Sequence, residues 1–326
     1  MRIIFEADKK ARSYIELKYN KKALEKDSFL DTEDGEEKED NKEATKKEEP
    51  EVDMTLSKEE IEEFDKAPSS EKQRMLVEKA NIYKSKDVGQ IPEKIAFVSK
   101  NTSVEPQPFV KKEADVDAIS KQAGVDKEVA EQASEYSDDL FTRASKEEPN
   151  ITDDLVSSIK SVGGTMYGLK ARMKQPTSLG RKIASDAYDT TTGFKGDLAK
   201  AASAVKDSVR FTAILPIESF VEGYFSIKSE LEGKGYTEVR CKNFYISFSK
   251  GTSQQKAVQC VYTTASGLYF ELQFHTKESQ GAKEVNHPLY ERYRSSESSS
   301  MEKGILDMRM RTISEEVPDP EGVFDI

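Results

Sequence analysis

Tryptophan is absent from this 326-residue chain, and histidine and cysteine occur only twice each. The two cysteines, Cys241 and Cys260, are too few for a disulfide framework and too far apart for a C-x-x-C metal knuckle. Apolar residues are also scarce, at 36% against 34% charged, with a mean hydropathy of -0.72. Globular chains run nearer ~45–50% apolar, so part of this one is not expected to bury a core. No apolar run approaches the ~20 residues needed to cross a bilayer, and the first residues lack the apolar stretch of a secretory signal. A soluble protein in a reducing compartment is the expectation. No glycine-rich phosphate loop is present, because Gly163-Gly164 has neither P-loop nor dinucleotide-fold spacing.

What is abundant is charge, and it is unevenly placed. The net value is -11, which disfavours broad DNA binding. Residues 1–150 carry -11, residues 151–300 carry +4 and residues 301–326 carry -4. Such asymmetry separates an interaction or solvating segment from a working domain. Residues 31–53 have almost no aliphatic and no aromatic side chain, so they read as a disordered acidic linker. Ser57-Lys-Glu-Glu60 has the form of a capping box opening a helix through Phe64. A second helix is expected over residues 70–83, and two amphipathic helices, broken near Gly124, over 114–145. The amphipathic pair is expected to pack on the domain beyond residue 150.

From Asn150 onward the apolar pattern strengthens. Thr152 opens an expected helix closed by Gly163-Gly164, Pro176 suits the first turn of another, and a third covers 218–233. Strands are expected at Val209–Leu215, Thr237–Phe248, Ala257–Thr264 and Leu268–Phe274, with turns at Lys250–Ser253 and Ser266-Gly267. The pattern predicts an α+β domain, a mixed β-sheet flanked by helices, behind an acidic, partly disordered, helical N-terminal region. The resulting division is a largely flexible region at 1–110, a helical connector at 111–150, the domain at 151–298 and an acidic tail at 299–326. Reflection about the first turn makes Cys241 and Cys260 cross-strand neighbours, expected as free thiols.

Three clusters in the domain have chemistry to offer. Arg172, Lys174, Ser178 and Lys182 gather where unpaired helix N–H groups favour an anion; the alternative is a solvated basic patch. Asp207 stands before a strand that places Arg210 and Thr212 on one face. In the strand from Phe270, residues Phe270, Leu272 and Phe274 face one way, whereas Glu271, Gln273 and His275 face the other. Asp207 and Glu271 are two separated carboxylates suited to Mg²⁺, and the surrounding cations suit phosphates, the equipment of phosphoryl or nucleotidyl transfer. A zinc site from His275, His287 and Glu271 lacks supporting ligand spacing.

These segments, in this order, resemble the synthetase domain of the RelA/SpoT family, the (p)ppGpp synthetases, in its divergent toxin and phage-type branch. The resemblance covers about residues 150–294. It rests on Arg172, Lys174, Ser178 and Lys182 for an R-x-K…S…K helix, on Asp207, on Glu271, Gln273, His275 and Thr276 for an E-x-Q-x-R/H-T strand, and on His287 and Tyr290 for an H-x-x-Y helix. It implies a nucleotidyltransferase-related mixed sheet, Mg²⁺ on Asp207 and Glu271, and transfer of pyrophosphate from ATP to a nucleotide or tRNA 3′-hydroxyl. Arg210, Lys242, Gln273, His275, His287 and Tyr290 join the basic helix as nucleotide-binding residues. Glu271 would help deprotonate the acceptor. Two departures stand out. Arg210 follows Asp207 by three residues rather than five, and Gln254–Val258 lacks the family's guanine-stacking tyrosine. Tyr245 or Tyr262 would have to substitute, or the acceptor is not guanine, or catalysis is lost.

The first residues, Met1-Arg-Ile-Ile-Phe-Glu6-Ala7, resemble the cleavage pattern of prohead proteases of large tailed phages, with the cut set by Glu6 and Ala7. That resemblance implies a protein packaged with phage head components and delivered to the host cytoplasm. Two readings result: a RelA/SpoT-like transferase acting as a toxin or host-takeover effector, or a non-catalytic virion or morphogenesis protein retaining the fold.

Overall fold

The computed structural model describes residues 52, 54–106, 109–295 and 297–326. The pattern at Glu6 and Ala7, and the linker at 31–53 apart from residue 52, lie outside the described residues.

The chain is α+β around a mixed six-stranded sheet. Strands β1 (Thr102–Ser103), β2 (Thr165–Tyr167), β3 (Val209–Ile214), β4 (Thr237–Asn243), β5 (Val258–Thr263) and β6 (Tyr269–His275) stand in the order β1-β2-β3-β6-β5-β4. Only β3 and β6 are parallel; the other neighbours are antiparallel. The two short strands β1 and β2 have no counterpart in the sequence reading. The two-residue period then divides the sheet. Val209, Phe211, Cys260, Tyr262, Phe270, Leu272 and Phe274 enter the main core, where Phe211 and Phe270 meet edge to face. The opposite face is polar.

Helices α1 (Lys58–Lys66), α2 (Ser69–Gly89) and α3 (Ile91–Lys100) open the described chain. The Ser57 capping box forms as expected. This part is not the largely flexible region expected of residues 1–110: α2 packs on α11 (Ser300–Glu315) and α3 on α10 (Lys277–Arg294). Their contacts include Phe64 and Ala80 with Met301 and Ile305, and Ile91 with Leu289, Leu306 and Met310. Apolar positions too sparse to reveal a core in sequence are sufficient once two helices share them.

The segment after Arg294 likewise is not a tail. Ser299 and Glu302 form a capping box that starts α11. Met301, Ile305, Met310 and Ile313 are buried on it at helical spacing. Arg309 is buried too, bidentate on Asp87 (2.7 and 2.8 Å) and 4.2 Å above the Tyr83 ring. The charges that suggested solvation are therefore partly paired inside.

Helix α4 (Val116–Ala123) ends at Gly124, in left-handed backbone at φ 66°, and α5 runs over Lys127–Ser161. The expected helix start at Thr152 is internal to α5, which passes through Pro149 unbroken. Phe141, Ala144, Ile151, Leu155 and Ile159 lie along one buried face, and that packing outweighs the bond proline forfeits. No boundary therefore falls at residue 150. Helices α6 (Pro176–Tyr188), α7 (Leu198–Ala204) and α8 (Phe220–Gly233) complete the apolar-side layer.

The expected strand Thr237–Phe248 stops at Asn243. The Asn243 side chain accepts from the backbone N–H of Tyr245 (2.9 Å) and Ile246 (3.3 Å), opening the short helix α9 (Phe244–Ser249). The cross-strand pairing of Cys241 with Cys260 nevertheless forms as expected, and both thiols are free. Among the described residues, no helix is long and apolar enough to cross a membrane.

Candidate functional site

Two rungs of side chains cross the polar face of the sheet. In one, Arg210 of β3 is the register partner of Glu271 of β6, followed by Val261 of β5 and Arg240 of β4. In the next stand Thr212, Gln273, Gln259 and Lys242. A core strand normally carries few charges, so this row sets the local chemistry. Glu271, Gln259 and Gln273 are buried, whereas Arg210 and Lys242 are partly exposed. The side-chain amides of Gln259 and Gln273 donate to the two Glu271 carboxylate oxygens.

The segment leading into α6 runs beside β3 and supplies the second carboxylate's partner. Met173 bridges Val209, and the backbone N–H of Lys174 donates to the Ser208 carbonyl (3.0 Å). This places the buried Lys174 ammonium 3.1 Å from Asp207 Oδ2. Asp207 Oδ1 is also buried and has no hydrogen-bond partner among the described residues. Pro176 opens α6, as expected, with Gln175 at the cap position, and Ser178 and Lys182 lie one turn apart. Arg172 does not join them. Its guanidinium is buried against Glu148 of α5, with Nη2 3.3 Å from Oε2, and Nη1 donates to the Leu169 carbonyl. The contact locks α5 to this segment, so Arg172 is a positioning residue.

The charges act on one another. Burial most strongly opposes ionisation of Asp207, but Lys174, Lys182 and Arg210 outweigh it and hold the carboxyl down at about 2. Burial first and then the Asp207 charge push Glu271 up. Two neighbouring carboxylates are thus driven apart in proton affinity, a pattern that separates an ionised ligand from a proton carrier. Burial pulls Arg240 down, against the attraction of Glu271 and Asp207.

Helix α10 closes this face. Thr276 caps it, and Ser279 bonds His275 Nδ1 at 2.9 Å. Burial holds the His275 imidazole well below its usual range, with Lys283 adding to the effect. One turn on, the Lys283 ammonium donates to Gln273 Oε1 at 2.6 Å, and burial lowers it to about 8. His287 comes next on the same side of the helix and is lowered by burial. Tyr290 is partly buried and stacks on Tyr293 at 6.4 Å.

Asp207, Glu271, Lys174, Lys182, Arg210, Gln273 and His287 are therefore brought into one group. Arg172 is not, and His275 sits at its buried end. Lys242 lies in the second rung. Sequence reasoning missed Arg240, Gln259 and Lys283. Each had a signal: Arg240 alternates with Lys242, Gln259 reflects onto Gln273 about Ser266-Gly267, and Lys283, His287 and Tyr290 are spaced four and three apart.

The stretch expected to carry an acceptor platform is occupied. Gln254 bonds Asp307 of α11 (2.6 Å), and the Lys256 ammonium bonds the Val317 carbonyl (2.7 Å) and pairs with Asp319 (2.8 Å). Tyr245 and Tyr262 cannot substitute. Both are fully buried, Tyr262 stacks on Phe270 on the apolar face, and Tyr245 packs edge-on to Phe220.

The fit for Mg²⁺ rests on the orphaned oxygen: a hard cation takes carboxylate oxygens, and buried Asp207 Oδ1 awaits a partner near Glu271. The zinc set of His275, His287 and Glu271 does not gather; among the described residues the one such trio is Glu238, Cys241 and Cys260. A surface cavity of about 600 Å³, bordered by Arg143, Lys146, Tyr236 and Ser266, lies elsewhere and includes neither Asp207 nor Glu271. No family model, curated protein or solved structure matches the chain.

Proposed function

We propose that the polar face binds a nucleoside polyphosphate and transfers a pyrophosphoryl or nucleotidyl group from ATP to the hydroxyl of a nucleotide or tRNA end, as in RelA/SpoT-type synthetases. The observation that carries this reading is a charge excess. Lys174, Lys182, Arg210, Arg240 and Lys283 stand about the buried carboxylates Asp207 and Glu271, with Asp186 4.0 Å from Lys182 and Glu284 acting on Lys283. Lys182, Arg210, Arg240 and Lys283 are partly exposed and repel one another, and a polyphosphate supplies counter-charges to them. The Arg210 backbone N–H donates to the Arg172 carbonyl (2.8 Å), but its guanidinium makes no ion pair or hydrogen bond with the described residues and is available to an anion.

Asp207 and Glu271 would hold Mg²⁺, whose contribution is neutralisation of phosphate charge. Lys182 and Arg210, partly exposed, meet the phosphates from the open side. Asp207 remains ionised throughout, whereas Glu271, raised by burial and by Asp207, accepts the proton of the attacking hydroxyl. Since Gln254–Val258 lies against α11 and the segment after it, the acceptor is not held by guanine stacking there. That same burial favours the second reading, a non-catalytic phage structural protein that retains the fold.

The test uses the full chain, because α10 is covered by α3 and α11. Incubation with labelled ATP, Mg²⁺ and a panel of nucleotides and tRNAs should give transfer that disappears in Asp207→Ala and Glu271→Ala. Absence of transfer to every acceptor, with no ATP binding, supports the non-catalytic reading instead.

A further inference from the structure

On the opposite face of the sheet, at edge strand β4, three ligand residues of two types converge. Cys241 and Cys260 are register partners. Glu238 is three residues before Cys241, a spacing that in a regular strand places the two on opposite faces. The register shifts between Glu238 and Arg240, so that Glu238 pairs with Tyr262 while Cys241 pairs with Cys260. The bulge turns Val239 out to solvent, 46% exposed, and brings Glu238 to the face of Cys241. Re-aiming one side chain is a recurrent use of bulges. A carboxylate oxygen and both sulfurs lie within 4.8 Å of one another.

We propose that Glu238, Cys241 and Cys260 form a site for a thiophilic divalent cation of the Zn²⁺ class. Tetrahedral Zn–S bonds of about 2.3 Å separate two sulfurs by about 3.8 Å, so small side-chain shifts complete the set. Glu238 Oε1 takes Lys228 at 3.0 Å, while Oε2 meets the Tyr262 hydroxyl only at 3.5 Å and is the ligand oxygen. Water supplies the fourth position. The Tyr224 hydroxyl lies 3.4 Å from Cys241 Sγ and 3.8 Å from Cys260 Sγ, an outer-shell donor to the thiolates. Charge closes: two thiolates and one carboxylate balance the divalent ion and Lys228. Binding releases two thiol protons to solvent. Cys260 is fully buried and Cys241 partly exposed, so the ion enters from the β4 edge.

The test is Co²⁺ titration of the reduced full-length protein, read by absorption. One equivalent with thiolate-to-cobalt charge transfer and tetrahedral d–d bands is expected, displaced by Zn²⁺. Cys241→Ser should halve the charge-transfer intensity or abolish it, and Glu238→Gln, which leaves both thiols and the core in place, should weaken binding at least tenfold. A wild-type protein that shows no such band while both thiols react with a thiol reagent after unfolding overturns the proposal. So does affinity unchanged in Glu238→Gln.

Discussion

Arg210 and Glu271 are register partners on the parallel strands β3 and β6, yet they do not pair with each other. Glu271 is held by the amides of Gln259 and Gln273, and the guanidinium has no hydrogen bond among the described residues. A structural pair would bring the two together, because an unpaired charge near a buried carboxylate is costly. Their separation is what the polyphosphate binding proposed above requires.

The Lys174–Asp207 pair is the buried anchor of this arrangement. Asp207→Asn leaves Lys174 without its counter-charge and should cost about 3–5 kcal/mol in urea denaturation. Adding Lys174→Met should recover more than half of that loss. The acid limb arises from the same pair. A carboxyl lowered from 3.8 to about 2 contributes stability above its unfolded value, and that contribution is lost as pH falls through the folded one. The Asn variant should lose this dependence between about pH 4 and 2.

Lys283 gives the opposite limb. Its folded value of about 8 lies below the unfolded 10.5, so in that interval the unfolded chain binds the extra proton and stability rises with pH. Lys283→Met should remove that rise and stabilise the protein near pH 7 by on the order of 1–3 kcal/mol, while weakening polyphosphate binding. Binding of the anion to wild type should take up protons near pH 8, measured by calorimetry in buffers of different ionisation enthalpy.

Gly281 tests the docking of the first helices. A Cβ there would stand 2.6 Å from Ile95 Cγ1 and 3.1 Å from the Ile95 backbone nitrogen. Backbone cannot yield cheaply, so Gly281→Ala should separate α3 from α10, cost about 1–3 kcal/mol and expose residues 54–106 to protease. An unchanged melting curve and digestion pattern would show that α3 does not pack there.

Truncation after residue 298 probes the other side of α10. It removes Met301, Ile305, Leu306 and Met310 from two core clusters and takes away the carbonyls that hold Lys256 and Asn286. The product should lose cooperative unfolding in thermal melts.

Much of the charged site was legible because it depends on local periodicity. The alternation through Phe270–His275, the cap and proline before α6, and the reflection joining Cys241 to Cys260 involve few residues at short range. The illegible part depends on partners distant in sequence. Met301 and Ile305 look like isolated apolar residues in an acidic segment until Phe64 and Ala80 cover them. Arg172 looks like a phosphate ligand until Glu148, on a helix expected to end before it, takes the guanidinium. The break expected between residues 145 and 152 and the strand expected through Phe248 failed in opposite directions: packing carried the helix through Pro149, and the Asn243 cap ended the strand early.

Calorimetry on the full-length protein decides whether the polar face binds a polyphosphate. Titration with a non-hydrolysable ATP analogue and Mg²⁺ should show saturable binding to wild type. It should weaken at least tenfold in Arg210→Ala and in Lys182→Ala, with melting temperatures of both variants close to wild type. No binding to the folded wild-type protein, or equal affinity in both variants, would contradict the account.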